Sequence, residues 1–385
     1  MASWTILTCE FPPACGGVGD YTAQVARGLS ACGDTVTVFC PPMPAAPAAQ
    51  SGVEVVVLPD TYGRASRQQI AGHVAARSST VLVQYVPTAF GLKGANVPWC
   101  RWLLDLSRRR ADVRVMFHEP YFTYGWKPLH QGPLSFVQRR MARILLQAGR
   151  ETYLSTDSWR RHLIPYAAEG ARRRFVTLPI PSSLPRCDCP ESAAERRRAL
   201  IGRSRLLVGH FGTYGTHVAP LLREAASLLL AQEPGIALVC AGSGSDRFAA
   251  DLVAAQPGLR DRVQSTGSLA AADAAAVLSA CDLVVQPFPD GVTTRRTSVM
   301  AALHNGRPVV TTTGHLTESI WAETGAVMMT AAGDTPALVA AVRSLLSRPA
   351  DLEALAARGD EAYCRNFALV HTIHALRRSD ESAVA

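Results

Sequence analysis

Short apolar runs alternate with amphipathic segments along almost the whole chain, and this alternation limits the fold more than any other feature. "WTILTCEF" has the composition of a strand. "DYTAQVARGLSAC" follows with helical periodicity and is closed by Gly33, and "TVTVFCPP" is the next strand. Further strands are expected at "VEVVVLP", "TVLVQYV", "DVRVMFHE" and "ETYLSTD". Continuous Val/Ile/Leu runs between helices describe strands buried on both faces, which means a parallel sheet.

The texture changes near residues 178–204. "LPIPSSLPRCDCPESAAERRR" is Pro-rich and charged, and residues 181–204 are expected to be a linker. The alternation then restarts at "RLLVGHFG" and continues through "IALVCAG", "RVQSTG", "DLVVQPF" and "RPVVTTT". Two helices, roughly 349–367 and 370–381, should close the chain. The expected domains are residues 1–180, completed by a C-terminal helix at 368–385, and residues 205–365. The fold class is α/β, with two Rossmann-like parallel-sheet domains facing a cleft, and in such sheets ligands bind at the carboxyl ends of strands.

With 385 residues, 48% hydrophobic and 18% charged, the chain can build real cores and is too apolar for disorder. No apolar run is long enough to span a bilayer and no secretory signal is visible, so the expected location is the cytoplasm. The net charge is +8, and Lys93 and Lys127 are the only lysines. Arginine runs at 108–110, 139–140, 172–174 and 196–198 describe either a solvated surface or one drawn to anionic lipid at the inner membrane face. No zinc finger, RRM signature or helix-turn-helix context supports nucleic acid as a partner. The ten cysteines include no CxxC pair, so buried free thiols are expected rather than a metal site.

Four stretches carry candidate chemistry. "CGGVGDY" joins the first strand to the first helix, where Gly16 and Gly17 let backbone approach an anion; a plain tight turn capped by Asp20 is the alternative. It is neither GxGxxG nor a P-loop, which weakens a dinucleotide dehydrogenase. "VMFHEPY" places His118 and Glu119 at the carboxyl end of a buried strand, where a His can bond a hydroxyl, move a proton or orient a phosphate. "GHFGTYGTH" is another strand–turn–helix junction, offering Gly212, Thr213 and His217. In "QPFPDGVTTRRTSVMAALHNGRPVVTTTG", Asp290 and Gly291 precede Arg295 and Arg296, and Thr297 and Ser298 open a helix. Hydroxyls and helix N-terminal amides can receive phosphate oxygens, and arginine binds phosphate in a planar fork.

The order of these motifs resembles retaining family-4 glycosyltransferases of the GT-B fold. "FPPACGGVGDYTAQVARGL" is similar to the family's Pro…Gly-Gly loop and helix, and "VTLPIPSSLP" to its interdomain entry. "CDLVVQPF…AALHNGRPVVTT" resembles its donor helix and turn, and "ESIWAETGAVMMTAAGDTPALVAAVRSLL" its last segment. The resemblance implies transfer of a sugar from a nucleotide-diphosphate donor to a small-molecule, glycan or lipid-linked acceptor, with retention and without a metal or other cofactor. Gly16 and Gly17 would approach the diphosphate and acceptor, His118 the donor sugar, and Thr297 and Ser298 the diphosphate. The family's two glutamates would fall at Thr293 and Ala301, and its Arg and Lys near Phe211 and His217, so all four are absent. Arg295 and Arg296 are expected to supply the lost charge. A pseudo-glycosyltransferase, another nucleotide-sugar enzyme or a non-catalytic binding homologue are the alternatives.

Overall fold

The computed structural model describes residues 1–14, 16–122, 131–168 and 175–381. Cys15, Lys127 and the 172–174 arginine run lie outside them. The chain divides into two compact units. The first is Met1–Pro179 with Leu369–Ala385, and the second is Ile180–Ala368.

The first unit holds strands β1 (Ser3–Leu7), β2 (Thr35–Cys40), β3 (Val53–Val57), β4 (Thr80–Tyr85), β5 (Val113–Phe117), β6 (Glu151–Leu154) and β7 (Phe175–Thr177). Their spatial order is β3-β2-β1-β4-β5-β6-β7, and the pairing is parallel throughout. The order reverses between β1 and β4. Helices α1 (Gly17–Ala31), α2 (Arg64–Arg77), α3 (Val97–Arg108) and α4 (Gln131–Ala148) connect them. The C-terminal helix Leu369–Glu381 packs back on α1, where Ile373 fills the space that a side chain at Gly28 would need. Arg114, fully buried in β5, donates to the Leu376 carbonyl at 2.6 Å and to Asp112 at 2.7 Å, and its guanidinium lies 5.1 Å from the Trp4 ring. A buried charge is tolerated because each face of the fork has a partner.

The second unit holds β8 (Leu206–Phe211), β9 (Ile236–Ala241), β10 (Val263–Ser265), β11 (Leu283–Gln286), β12 (Val309–Thr313) and β13 (Met328–Ala331), in the parallel order β10-β9-β8-β11-β12-β13. Here the reversal lies between β8 and β11. Helices α5 (Pro190–Ile201), α6 (Ala219–Gln232), α7 (Ser245–Ala255), α8 (Ala271–Ala280), α9 (Thr297–His304), α10 (Thr335–Leu346) and α11 (Pro349–Ala362) cover both faces. Each face buries its own apolar cluster.

The segment expected as a linker, 181–204, differs. Its charged half is helix α5, opened by Pro190 in the first turn. Arg196 pairs with Asp273 at 2.6 Å, and Arg197 reaches Asp282 and the Ala280 carbonyl at 2.9 Å each. Leu200 and Ile201 pack on the core. The Arg run is therefore the polar face of an amphipathic helix. The described cysteines are free thiols. Burial pushes Cys240 and Cys281 up to about 12, so neither is a ready nucleophile.

Candidate functional site

In the second unit the carboxyl ends of β8 and β11 flank the point where strand order reverses. One amide side chain ties them together. Gln286, fully buried at the end of β11, donates to the Phe211 carbonyl at 2.9 Å and accepts from the Ser298 hydroxyl at 3.3 Å. The start of α9 is thereby fixed beside the turn after β8. Gly212 lies in that turn and approaches Gly242, the first residue after β9, so closely that a side chain at Gly242 would overlap the Gly212 carbonyl. Gly242 has φ +105, which suits glycine. Thr213 and His217 lie further along the same turn and are exposed. His210, buried on β8, donates through Nδ1 to the Val285 carbonyl at 2.8 Å, and burial depresses its pKa to about 4.

The loop from Phe288 to Arg296 is over-determined. Gly291 has φ +91 and presses on Gly314, so that a side chain at either would meet the other's backbone. The Leu316 amide donates to the Asp290 carbonyl at 3.0 Å. Glu318, itself buried, accepts from the Thr294 amide at 2.5 Å and the Thr294 hydroxyl at 2.8 Å. These contacts hold Arg295, Arg296, Thr297 and Ser298 at the mouth of α9, whose N-terminus has no side-chain cap. An uncapped helix start presents orphan amides and a partial positive charge.

Arg296 bonds Asp290 through Nη2, and its guanidinium stacks 4.3 Å from the Phe288 ring. Its charge is therefore partly answered within the loop. Thr293 and Ala301, where the resemblance would put two glutamates, are both fully buried. The Thr293 hydroxyl has no hydrogen-bond partner among the described residues.

In the first unit, Gly16 and Gly17 open α1 as expected, but the helix start is already occupied by an anion from the chain itself. Glu10 accepts from the Val18 and Gly19 amides at 3.0 Å each, and a side chain at Gly16 would overlap its carboxylate. A phosphate arriving there would meet a carboxylate in possession of the same donors. Glu10 is thus the cap, rather than Asp20. Tyr21, one turn into α1, packs edge-on to His118 at 5.1 Å. The structure thereby brings the first Gly-rich helix and His118 together. His118 sits just past β5, nearly buried, and its Nε2 shares a 2.8 Å hydrogen bond with Gln84 Oε1 on β4. Its carbonyl accepts from Ser155 and from the Trp159 indole. Glu119 follows, half-buried. The Gln84 amide nitrogen, fully buried, has no partner among the described residues, so a donor is stored beside the imidazole.

Among the described residues no group of three or more His, Cys, Asp or Glu side chains is placed to hold a metal ion.

Residues 204–348 match the family model described as Glycosyl transferases group 1. That span covers the glycine turn, the Arg295–Ser298 loop and Glu318. No curated protein sequence matches the chain. Among solved structures, the sucrose-phosphate synthase from Thermosynechococcus elongatus is similar over 100% of both chains, with a TM-score of 0.75 and 16% identity. HepE from Anabaena, solved in complex with UDP, is similar over 99% of this chain and 100% of its own, with a TM-score of 0.71 and 17% identity. A glycosyltransferase from Rickettsia africae ESF-5 is similar over 100% and 98% respectively, with a TM-score of 0.75 and 12% identity. At these identities the likeness shows the fold, and that fold is GT-B.

Three residues of these two regions were not expected from the sequence. Glu318 lies 24 residues from the amide it holds. Gln84 and Gln286 are the lone polar residues near the carboxyl ends of apolar strands, a pattern that could have marked them.

Proposed function

We propose that the protein is a glycosyltransferase that moves a sugar from a nucleotide-diphosphate donor to an acceptor hydroxyl. The observation that carries this reading is the loop of residues 288–298. It is braced by buried Glu318, lies inside the span matching group 1 glycosyl transferases, and sets two arginines at an uncapped helix start. Such a loop suits the diphosphate of a donor. Its amides and cationic groups are fixed before the leaving group develops charge, so departure is assisted without reorganisation.

In this reading Arg295, the α9 amides and the Thr297 hydroxyl receive phosphate oxygens. Arg296 joins them by exchanging Asp290 for phosphate. Fixed cations neutralise the diphosphate, so binding proceeds without divalent metal. On the first unit, His118 and the Gln84 amide take a sugar or acceptor hydroxyl, Glu119 stands next to them, and Gly16 and Gly17 shape the turn rather than hold phosphate. With Thr293 and Ala301 where carboxylates would stand, the reaction proceeds on one face of the sugar, the leaving phosphate assisting the incoming hydroxyl, and retains configuration. The test is calorimetric titration with nucleoside diphosphates, with and without EDTA, followed by product analysis with UDP-sugars and their GDP and ADP counterparts. Binding that vanishes on chelation removes the metal-free reading, and hydrolysis or transfer with none of the donors removes the enzyme.

The buried Thr293 and Ala301 favour a second reading, a nucleotide-binding homologue that holds the donor without turning it over. Binding without any product would establish it, and a product with a non-glycosidic link would mark a pseudo-glycosyltransferase.

A further inference from the structure

Helices α3 and α4 of the first unit pack side by side and leave a groove of about 550 Å³ between them. Its residues on α4 recur at Phe136, Arg140, Arg143 and Ile144, one stripe of the helix, and α3 adds Arg101 and Leu104. The floor is apolar and the rim is cationic. Arg101, Arg140 and Arg143 are exposed, and none of them forms an ion pair with a described residue. Phe136 is 68% exposed, an unusual position for a phenyl ring in water. Arg139 closes one end; it donates to the Tyr166 hydroxyl at 3.0 Å and lies over the Tyr121 ring.

We propose that this groove docks the protein on an anionic lipid surface, the three rim arginines meeting phosphate headgroups, exposed Phe136 entering the acyl boundary, and the floor at Leu104 and Ile144 receiving part of a lipid chain. The chemistry selects this occupant over others. A soluble polyanion would answer the arginines and leave the apolar floor in water. A second copy of the chain, meeting this face about a two-fold axis, would set the arginine cluster against itself. A lipid interface offers negative heads and an apolar layer within a few ångströms of each other, as an amphipathic interfacial helix requires. Among the described residues no helix is long and apolar enough to cross a membrane, so the contact is peripheral.

Vesicle flotation tests this without any sugar donor, so its outcome is separate from that of the transferase reading. The parent should float with phosphatidylglycerol/phosphatidylcholine vesicles, much less with phosphatidylcholine alone, and detach at high salt. Each arginine near an anionic surface contributes roughly fivefold in partitioning, so the triple variant R101Q/R140Q/R143Q should lose about 100-fold. Phe136→Ser should lose about tenfold and keep the salt dependence. All four side chains are exposed, and unchanged melting temperatures confirm that the variants are folded. Equal partitioning to both vesicle types, or full binding by the triple variant, overturns the proposal. So does a dimer in sedimentation velocity that Phe136→Ser turns into monomer, or RNA binding that Phe136→Ser leaves intact while vesicles are ignored.

Discussion

Glu318, in the loop after β12, holds both the amide and the hydroxyl of Thr294, in the loop after β11, at 2.5 and 2.8 Å. Two parallel strands are thus joined beyond their ends by one buried carboxylate. Hydrogen bonds to a charged group contribute about 1.5 to 3 kcal/mol each, and a buried donor left alone is costly. Glu318→Ala should lower the unfolding free energy by about 3 kcal/mol or more in urea titration, and Glu318→Gln, which keeps one acceptor, by about half of that. A loss under about 1 kcal/mol for Glu318→Ala would show that the loop is held by its glycine contacts instead.

The Arg296–Asp290 pair makes opposite predictions for neighbouring side chains. Arg295→Ala should weaken binding of UDP by roughly 10- to 100-fold and leave uridine binding unchanged, since uridine carries no phosphate for the guanidinium to meet. Asp290→Asn frees Arg296 from its internal partner and should tighten UDP binding several-fold. Calorimetry on the two variants decides. If Asp290→Asn weakens UDP instead, Asp290 positions the loop rather than competing with the phosphate.

His118 shares its hydrogen bond with Gln84 and its edge with Tyr21, so its ring is oriented before any ligand arrives. His118→Ala should lower kcat by roughly 10²-fold, as for loss of a placed acid–base or transition-state group, with UDP affinity unchanged. Gln84→Met should raise the acceptor KM more than it lowers kcat. An unchanged rate for His118→Ala would make the imidazole a packing group.

His210 gives a pH signature of the second unit. Burial holds its folded pKa near 4, below the ordinary 6.5. Between those values the unfolded chain binds a proton that the native state refuses, so stability is lost as pH falls from about 6.5 to about 4, and this component then flattens. The full effect is about 3 kcal/mol at about 1.4 kcal/mol per pH unit. His210→Gln should be less stable than the parent at pH 7, and the gap should narrow by roughly 2 to 2.5 kcal/mol at pH 4.5. A gap constant with pH would mean that the ring takes up its proton equally in the folded and unfolded states.

The two parallel sheets were legible because buried parallel strands are written as unbroken Val/Ile/Leu runs. Strands β7 and β13 were harder to read, being short sheet edges that carry exposed Val176 and Met328. Helix α5 was hidden by its own charge, since "ERRR" looks alike on a linker and on a solvated helix face. At the site, the stretch 290–298 was visible from composition, because Arg-Arg-Thr-Ser before a small-residue helix is a local pattern. Glu10 and Glu318 depend on contacts that only the folded chain makes. Glu10 also shows why a glycine turn at a helix start is weak evidence for a phosphate: the anion can come from six residues upstream.

The return of helix Leu369–Glu381 to the first unit sets a schedule for synthesis. The carbonyl of Leu376 that Arg114 needs, and the Arg377 that pairs with Asp34 at 3.1 Å, leave the ribosome only after the whole of the second unit. At 5 to 20 residues per second the wait is roughly ten to forty seconds. By its end the second unit has all of its sequence and can close its sheet, while the earlier-made unit still carries a buried-to-be guanidinium with one partner missing. The part made first is therefore the part finished last, and a nascent chain stalled before residue 369 should present a protected second unit beside a protease-sensitive first one.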